Sequence, residues 1–474
     1  MRRSLSALKG RAAQARHGSD ARRVRSERGV SRLSLLSVSG ADRPDLAASI
    51  TAVLDRLAVP VHDLGLSVIH DHATLGIVLE LPEDGGEARR MALLAELTRR
   101  AEALDCSVRL EPLEADRWSA WHRRTGQPRW IVTLLARRLE ARHFATVTRI
   151  VAAHGLRIDA IRRLSDSASY SPGRARDQTS TSAADRTPDR TPDKTPDKPP
   201  DQGSDRAPGA WAASRSRASV EFALRGAPPD QQRIRGEFLA ASAELGIDIA
   251  FQRDDVWRRN RRLVAFDMDS TLIEAEVIDE LARHAGVGDE VAAITERAMR
   301  GEIDFTESFR ARVALLKGLD AAVLAEVAER LPITEGAEQL IVQLRRLGYR
   351  TAIISGGFQY FGRFLQQRLG IDSVHANELE IEDGRVTGRV VGDVIDGARK
   401  AMLLRRIAAE EGLALDQVIA VGDGANDLPM LALAGLGIAF RAKPLVRESA
   451  EHSISALGLD AILYLLGFTD ADLA

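Results

Sequence analysis

The chain has 474 residues, about three times a usual domain of roughly 150, so two to four folded units are expected. Lys plus Arg total 66 and Asp plus Glu 68, a net charge of −2, which leaves no global basic field to hold nucleic acid. No apolar run reaches the roughly 18 residues needed to cross a bilayer, and Cys106 is the single cysteine, which excludes an internal disulfide and a Cys-based zinc site. These features fit a protein of the cytoplasm with no membrane and no nucleic-acid partner.

Residues 1–30 carry nine basic side chains against Asp20 and Glu27 and show almost no apolar periodicity, so a disordered basic extension is expected there. A second low-complexity stretch, 166–217, contains no Val, Ile, Leu, Met or Phe and holds seven of the 17 prolines. Within it a Thr-Pro-Asp-Arg/Lys unit starts at Thr187, Thr191 and Thr195, which favours extended, solvated backbone and reads as a disordered linker.

Two stretches flank that linker with one order of elements. Over 31–115, Leu33–Val38 reads as a strand, Pro44–Leu57 as a helix, Val61–Ile69 and Thr74–Leu81 as strands, Ala88–Leu104 as a helix and Val108–Leu113 as a strand. Over 128–253 the β-α-β-β-α-β order repeats: Trp130–Leu135, Leu139–His154, Leu156–Arg163, Ser219–Leu224, Asp230–Leu245, Ile247–Gln252. The linker falls between the second and third strands of this copy. The arrangement resembles a tandem pair of ACT domains, α+β ferredoxin-like modules that often bind amino acids and regulate an attached enzyme. In the first module a strand runs into Ser39-Gly40-Ala41-Asp42-Arg43-Pro44, a glycine turn whose free N–H groups could hold a carboxylate and whose Asp42 could hold an ammonium. Gly40 and Asp42 are therefore the candidate regulatory residues; the alternative is that both modules serve only dimerisation. Exposed sheet edges make a homodimer the default expectation.

After Arg261-Arg262, the run Leu263-Val264-Ala265-Phe266 has no alternation, as expected of a strand buried on both faces of a parallel sheet. It leads into Asp267-Met268-Asp269-Ser270-Thr271. Two carboxylates at such a strand end are costly without a cation. One side chain can reach a ligand directly, while the residue two further on can offer its backbone carbonyl to the same ion; hard oxygen ligands suit Mg²⁺. Three further sites follow in order. Thr351–Ile354 leads into Ser355-Gly356-Gly357, a hydroxyl beside unhindered N–H groups that suit phosphate oxygens. Lys400, one of six lysines against 60 arginines, opens a helical stretch to Glu411. Val418–Val421 leads into Gly422-Asp423-Gly424-Ala425-Asn426-Asp427, a further set of carboxylates at a strand end.

Residues 260–470 thereby resemble the haloacid dehalogenase superfamily of phosphohydrolases. The stretches Met299–Phe305 and Ser308–Val313 look like its phosphoserine-directed branch in particular. The resemblance implies an α/β fold, a Rossmann-like doubly wound parallel sheet with a helical cap at about 277–331, preceded by the two ACT-like modules. It implies Asp267 as nucleophile and Asp269 as general acid and base. It implies Mg²⁺ held by Asp267, the Asp269 carbonyl and Asp423, with Asp427 ordering the site from behind. Ser355, Gly356, Lys400 and Asn426 match phosphate-contacting positions. Glu276 and Arg312 match the pair that takes the substrate's ammonium and carboxylate, and Met299 and Phe305 the apolar wall of the cap. The expected reaction is hydrolysis of O-phospho-L-serine to L-serine and phosphate through an aspartyl-phosphate, the last step of serine biosynthesis, with L-serine as a regulator. The alternatives are another phosphomonoester or a phosphoprotein as substrate, or an amino-acid-sensing scaffold with a vestigial catalytic half. Met268 departs from the family pattern, where Phe is common.

Overall fold

The computed structural model describes residues 31–82, 86–166 and 217–474; the extension over 1–30 and the Thr-Pro-Asp tract lie outside the described residues. The chain divides into two units, Met1–Gly126 and Gln127–Ala474. In the first, β1 (Ser31–Ala41), α1 (Leu46–Arg56), β2 (Val61–Ile69), β3 (His72–Pro82), α2 (Gly86–Glu102) and β4 (Cys106–Pro112) form an antiparallel sheet in the order β2-β3-β1-β4. Period-2 alternation buries Leu36 and Val38 of β1 with Ile50, Val53, Leu93 and Leu97 of the helices, while Leu35 and Ser37 stay partly covered. The edge strand β2 is exposed throughout, Leu64, Leu66 and Ile69 included. A helix that the sequence did not announce, α3 (Ala115–Thr125), follows; Trp118 and Trp121, three residues apart, stack at 5.2 Å between ring centroids. Two tryptophans among charged residues give too little apolar periodicity to predict it.

The second unit opens with the same topology: β5 (Arg129–Ala136), α4 (Ala141–Ala153), β6 (Arg157–Arg163), β7 (Ala218–Arg225), α5 (Gln231–Leu245) and β8 (Asp248–Arg253), ordered β6-β7-β5-β8. Here both faces of the central strand β5 are covered, while the edge strand β6 stays largely exposed. Trp130, Val132 and Leu134 pack with Val147, Ile150 and Phe238 of the helices, whereas Leu135 and Ala250 join the core of the following α/β half. Polar clamps cross that junction. Arg137 forks onto Glu335 with two bonds of 2.7 Å, and Asp248 accepts from the Ser455 and Ala456 N–H groups at 2.9 and 2.7 Å. Arg258, 1% exposed, donates to Glu221 at 2.5 Å and to the Leu465 carbonyl. Truncating one partner of a buried pair strands the other, so Arg258→Ala should cost about 3–5 kcal/mol. A urea midpoint equal to wild type would refute this.

The α/β half is a seven-stranded sheet, β12-β11-β10-β9-β13-β14-β15. Its strands are β9 (Leu263–Phe266), β10 (Arg350–Phe358), β11 (Ser373–Glu382), β12 (Arg385–Val391), β13 (Val418–Gly422), β14 (Leu436–Phe440) and β15 (His452–Ile454). All neighbours pair in parallel except β11 and β12. Side chains alternate into two cores: Val264 and Phe266 into one, Leu263 and Ala265 into the other. Burial on both faces explains the unbroken apolar run. Between β9 and β10 come α6 (Val277–Ala285), α7 (Gly288–Met299), α8 (Phe305–Leu315), α9 (Ala322–Arg330) and α10 (Ala337–Arg346). After β10 come α11 (Gln359–Leu369), α12 (Gly397–Glu410), α13 (Leu428–Leu433), α14 (Pro444–Ser449), α15 (Ile462–Leu465) and α16 (Asp470–Leu473). No helix among the described residues is long and apolar enough to cross a membrane.

Candidate active site

Strand β9 lies between β10 and β13 with Phe266 opposite both Ile353 and Val421. That register brings the carboxyl ends of three parallel strands to one place, where open α/β sheets bind ligands. The Asp267 N–H donates to the Val421 carbonyl at 2.8 Å, and Ser270, at φ +55°, turns the chain back within the loop. Strand β10 carries Ser355-Gly356-Gly357 past this loop at close range: a Cβ on Gly357 would collide with the Asp269 carboxylate and Met268. Helix α12 begins beside it, its first turn fixed by the Asp396 carboxylate accepting from the Arg399 N–H at 2.8 Å. This start places Lys400 in the interior.

The Lys400 ammonium, fully buried, lies 2.9 Å from Asp267 Oδ2 and 2.6 Å from Asp427 Oδ1. Asp267 Oδ1 accepts from the Met268 N–H at 2.8 Å, and Asp427 Oδ2 from the Gly424 N–H at 2.9 Å. Although burial works against its charge, the two carboxylates hold the Lys400 ammonium above the ordinary lysine range. Asp269 is the counterpart. Burial first, then Glu276 and Asp267, hold its carboxyl well above the ordinary carboxylate range, against one N–H bond from Val277 at 2.9 Å. A carboxylate that receives an ammonium thus stands two residues from a carboxyl whose surroundings disfavour its charged form.

Asp267, Asp269, Glu276, Met299, Phe305, Arg312, Ser355, Gly356, Asp423 and Asn426 all line one cavity of about 770 Å³. Lys400 and Asp427 sit behind Asp267, fully buried. Ser355 Oγ accepts from the Gly357 N–H at 2.9 Å. Phe305 packs so closely over Gly356 that a side chain there would have to displace it. Glu276 accepts from Ser270 Oγ at 2.8 Å, and burial raises its pKa while lowering that of Arg312. Arg312 Nε is buried without a hydrogen-bond partner among the described residues.

The other two predicted residues lie in the first unit. Gly40 pairs with Cys106, and any Cβ would strike the Asp105 carbonyl and Cys106, so close packing onto β4 accounts for this glycine. Asp42 is exposed, its N–H donating to the Asp71 carbonyl at 2.7 Å.

Several residues of the site escaped the sequence reading. Ser308, Thr295, Asp279 and Lys443 also line the cavity, and Ser308 Oγ is buried without a partner among the described residues. The signal for Ser308 was present: Phe305, Ser308, Phe309 and Arg312 share one face of α8 at i, i+3, i+4 and i+7. Asn377, 3% exposed, donates to the Gly356 carbonyl at 2.8 Å and accepts from the Ile395 N–H at 2.9 Å, fixing the loop from behind. No motif marks it, because its role depends on strand order.

Carboxylate oxygens of Asp267, Asp423 and Asp427 lie within 4.8 Å of one another, and Lys400 is the ammonium bonded among them. Burial first, then the neighbouring carboxylates, push Asp423 up to about 8 and Asp427 to about 7, against the Lys400 ammonium. Asp423 Oδ1 accepts from Thr271 Oγ1 at 3.3 Å. Three hard oxygen donors with negative charge in excess fit a divalent cation.

Residues 264–432 match the model of haloacid dehalogenase-like hydrolases, and residues 32–111 that of the ACT domain. The chain is 39% identical over 435 residues to the phosphoserine phosphatase of Streptomyces coelicolor, covering 92% of each chain. Over 250 residues it is 49% identical to the phosphoserine phosphatase of Archaeoglobus fulgidus, covering 52% of this chain and 73% of that one. Among solved structures, a probable phosphoserine phosphatase from Vibrio cholerae in unliganded form matches with a TM-score of 0.50 at 30% identity, over 72% of this chain and 86% of that one.

Proposed function

Because the chain belongs to the phosphoserine phosphatase family and is a phosphatase, we propose that it hydrolyses O-phospho-L-serine to L-serine and phosphate through an aspartyl-phosphate on Asp267, with Mg²⁺. The observation that carries this reading is the placement of Asp267, Asp269 and the Glu276–Arg312 pair in one cavity, with Lys400 behind the first of them.

Asp267 attacks phosphorus while the bond to the seryl oxygen breaks, and the Asp269 proton passes to that oxygen. The Lys400 ammonium, 2.9 Å from Asp267 Oδ2, offsets charge on the phosphoryl oxygens. Ser355, Gly356 and Asn426, which line the same cavity, would contact the remaining oxygens. Asp269, now ionised, takes a proton from water as its oxygen attacks the acyl phosphate, which returns Asp267 and frees phosphate. Asp267, Asp423 and the Asp269 carbonyl would hold the Mg²⁺, which when bound neutralises charge on the transferring group. At the other end Arg312 takes the substrate carboxylate and Glu276 its ammonium.

Regulation by L-serine through the ACT-type module completes the reading, with Gly40 near the end of β1 and exposed Asp42 just after it as the residues that would be involved. Phosphate release from L-phosphoserine, phosphothreonine, p-nitrophenyl phosphate and a phosphopeptide, with Mg²⁺ and with EDTA, tests the catalytic part. L-phosphoserine should lead by at least about tenfold, and EDTA should abolish turnover. A phosphopeptide preferred over the free amino acid, or full activity in EDTA, would end it.

A further inference from the structure

A second cavity, of about 380 Å³, lies inside the second unit, between α5 and β8 of its ferredoxin-like module and α14 and β15 of the α/β half. Three buried polar atoms on its walls have no hydrogen-bond partner among the described residues: Arg235 Nε, Arg447 Nε and His452 Nδ1. His452 is 5% exposed. Arg235 spends one of its other nitrogens on Glu451 at 2.7 Å, which leaves its Nε–H facing no acceptor. Buried donors of this kind are costly unless something is bound to them.

A glycine lines this space. Gly236 stands inside α5, where glycine is the poorest helix former after proline, and a Cβ there would meet nothing within 4 Å. Glu448 lines the same cavity. Two guanidinium N–H donors beside a carboxylate describe a receptor for a small zwitterion.

The cavity is also joined to the catalytic one. Lys443, at the N-cap of α14, with Leu445 and Val446 of that helix, lines the catalytic cavity, while Arg447 and Glu448 of the same helix line this one. The two cavities thus share the walls of one six-residue helix.

We propose that this junction cavity is an effector site for a free α-amino acid, its carboxylate on Arg235 and Arg447 and its ammonium on Glu448, and that occupancy acts on catalysis through α14. The site is distinct from the Gly40–Asp42 turn, and its occupancy does not depend on which phosphate ester the enzyme hydrolyses.

The test is calorimetric titration of the full chain with L-serine, in wild type, in the Arg235→Leu/Arg447→Leu double variant and in Gly236→Leu. The last places a branched side chain on the cavity wall, where a Cβ has open space, while removing no charge and improving the helix, so it guards against a double variant that fails to fold. Both variants should bind one L-serine fewer per chain than wild type, keep phosphoserine turnover within about twofold without effector, and lose the noncompetitive part of L-serine's effect on kcat. An unchanged stoichiometry in Gly236→Leu would overturn the proposal. So would acetate or inorganic phosphate filling the same site as tightly as L-serine, since neither carries an ammonium. If wild type binds L-serine here yet does not hydrolyse phosphoserine, the catalytic reading fails and this one stands.

Discussion

Asp267→Asn should lower kcat for L-phosphoserine by at least about 10³-fold, the scale expected when a covalent nucleophile is removed. The substitution preserves shape and takes away one negative charge. Lys400 stays paired with Asp427 at 2.6 Å, and repulsion with Asp423 and Asp427 falls. The variant's Tm in EDTA should therefore equal or exceed that of wild type, so lost turnover cannot be ascribed to unfolding. Wild type quenched with hydroxylamine during turnover should carry a hydroxamate at position 267, found by mass spectrometry. Label on another carboxylate, or more than about 1% of parental turnover in the variant, would remove Asp267 from the nucleophile's role.

How much of this was legible beforehand follows from where the information sits. The strand Leu263–Phe266, the acids after it and the loops at Ser355 and Gly422 each lie within a few residues, and each can be read as a strand end carrying chemistry. Their convergence depends on β9 lying between β10 and β13, a pairing no local pattern encodes. Asn377 and Lys443 were missed for that reason: each reaches the site from a strand or helix that sequence order places far from Asp267. Asp427 is a subtler case. It was read as ordering the site from behind, and it does hold Lys400 and the Gly424 N–H, yet its oxygens also fall within the carboxylate cluster. The second ferredoxin-like module offered a signal that went unused. Trp130–Leu135 has Thr133 as its one polar residue, whereas Ser34 and Ser37 interrupt Leu33–Val38, and the nearly unbroken run corresponds to a strand covered by the module's own helices on one face and by the α/β half on the other. Helix α3 gave no such signal, since its tryptophans pack on each other and not along a continuous stripe.

Arg312→Leu should lower kcat/KM for L-phosphoserine by about 30- to 1000-fold, equivalent to roughly 2–4 kcal/mol, while p-nitrophenyl phosphate hydrolysis changes by less than about threefold. The asymmetry comes from burial. Arg312 Nε has no partner among the described residues, and desolvation already lowers the guanidinium's pKa despite Glu276, Asp279 and Asp269 nearby. A substrate carboxylate would therefore meet a cation with little water to displace, and losing that cation strands the carboxylate. Glu276→Gln should act likewise on the ammonium. Two analogues separate the contacts: phosphoethanolamine lacks the carboxylate and phospholactate lacks the ammonium. In wild type both should be poor substrates, Arg312→Leu should hydrolyse phosphoethanolamine about as well as phosphoserine, and Glu276→Gln should cease to distinguish phospholactate. Equal losses on phosphoserine and p-nitrophenyl phosphate in Arg312→Leu would show that α8 shapes the cavity as a whole and that selection by paired charges is wrong.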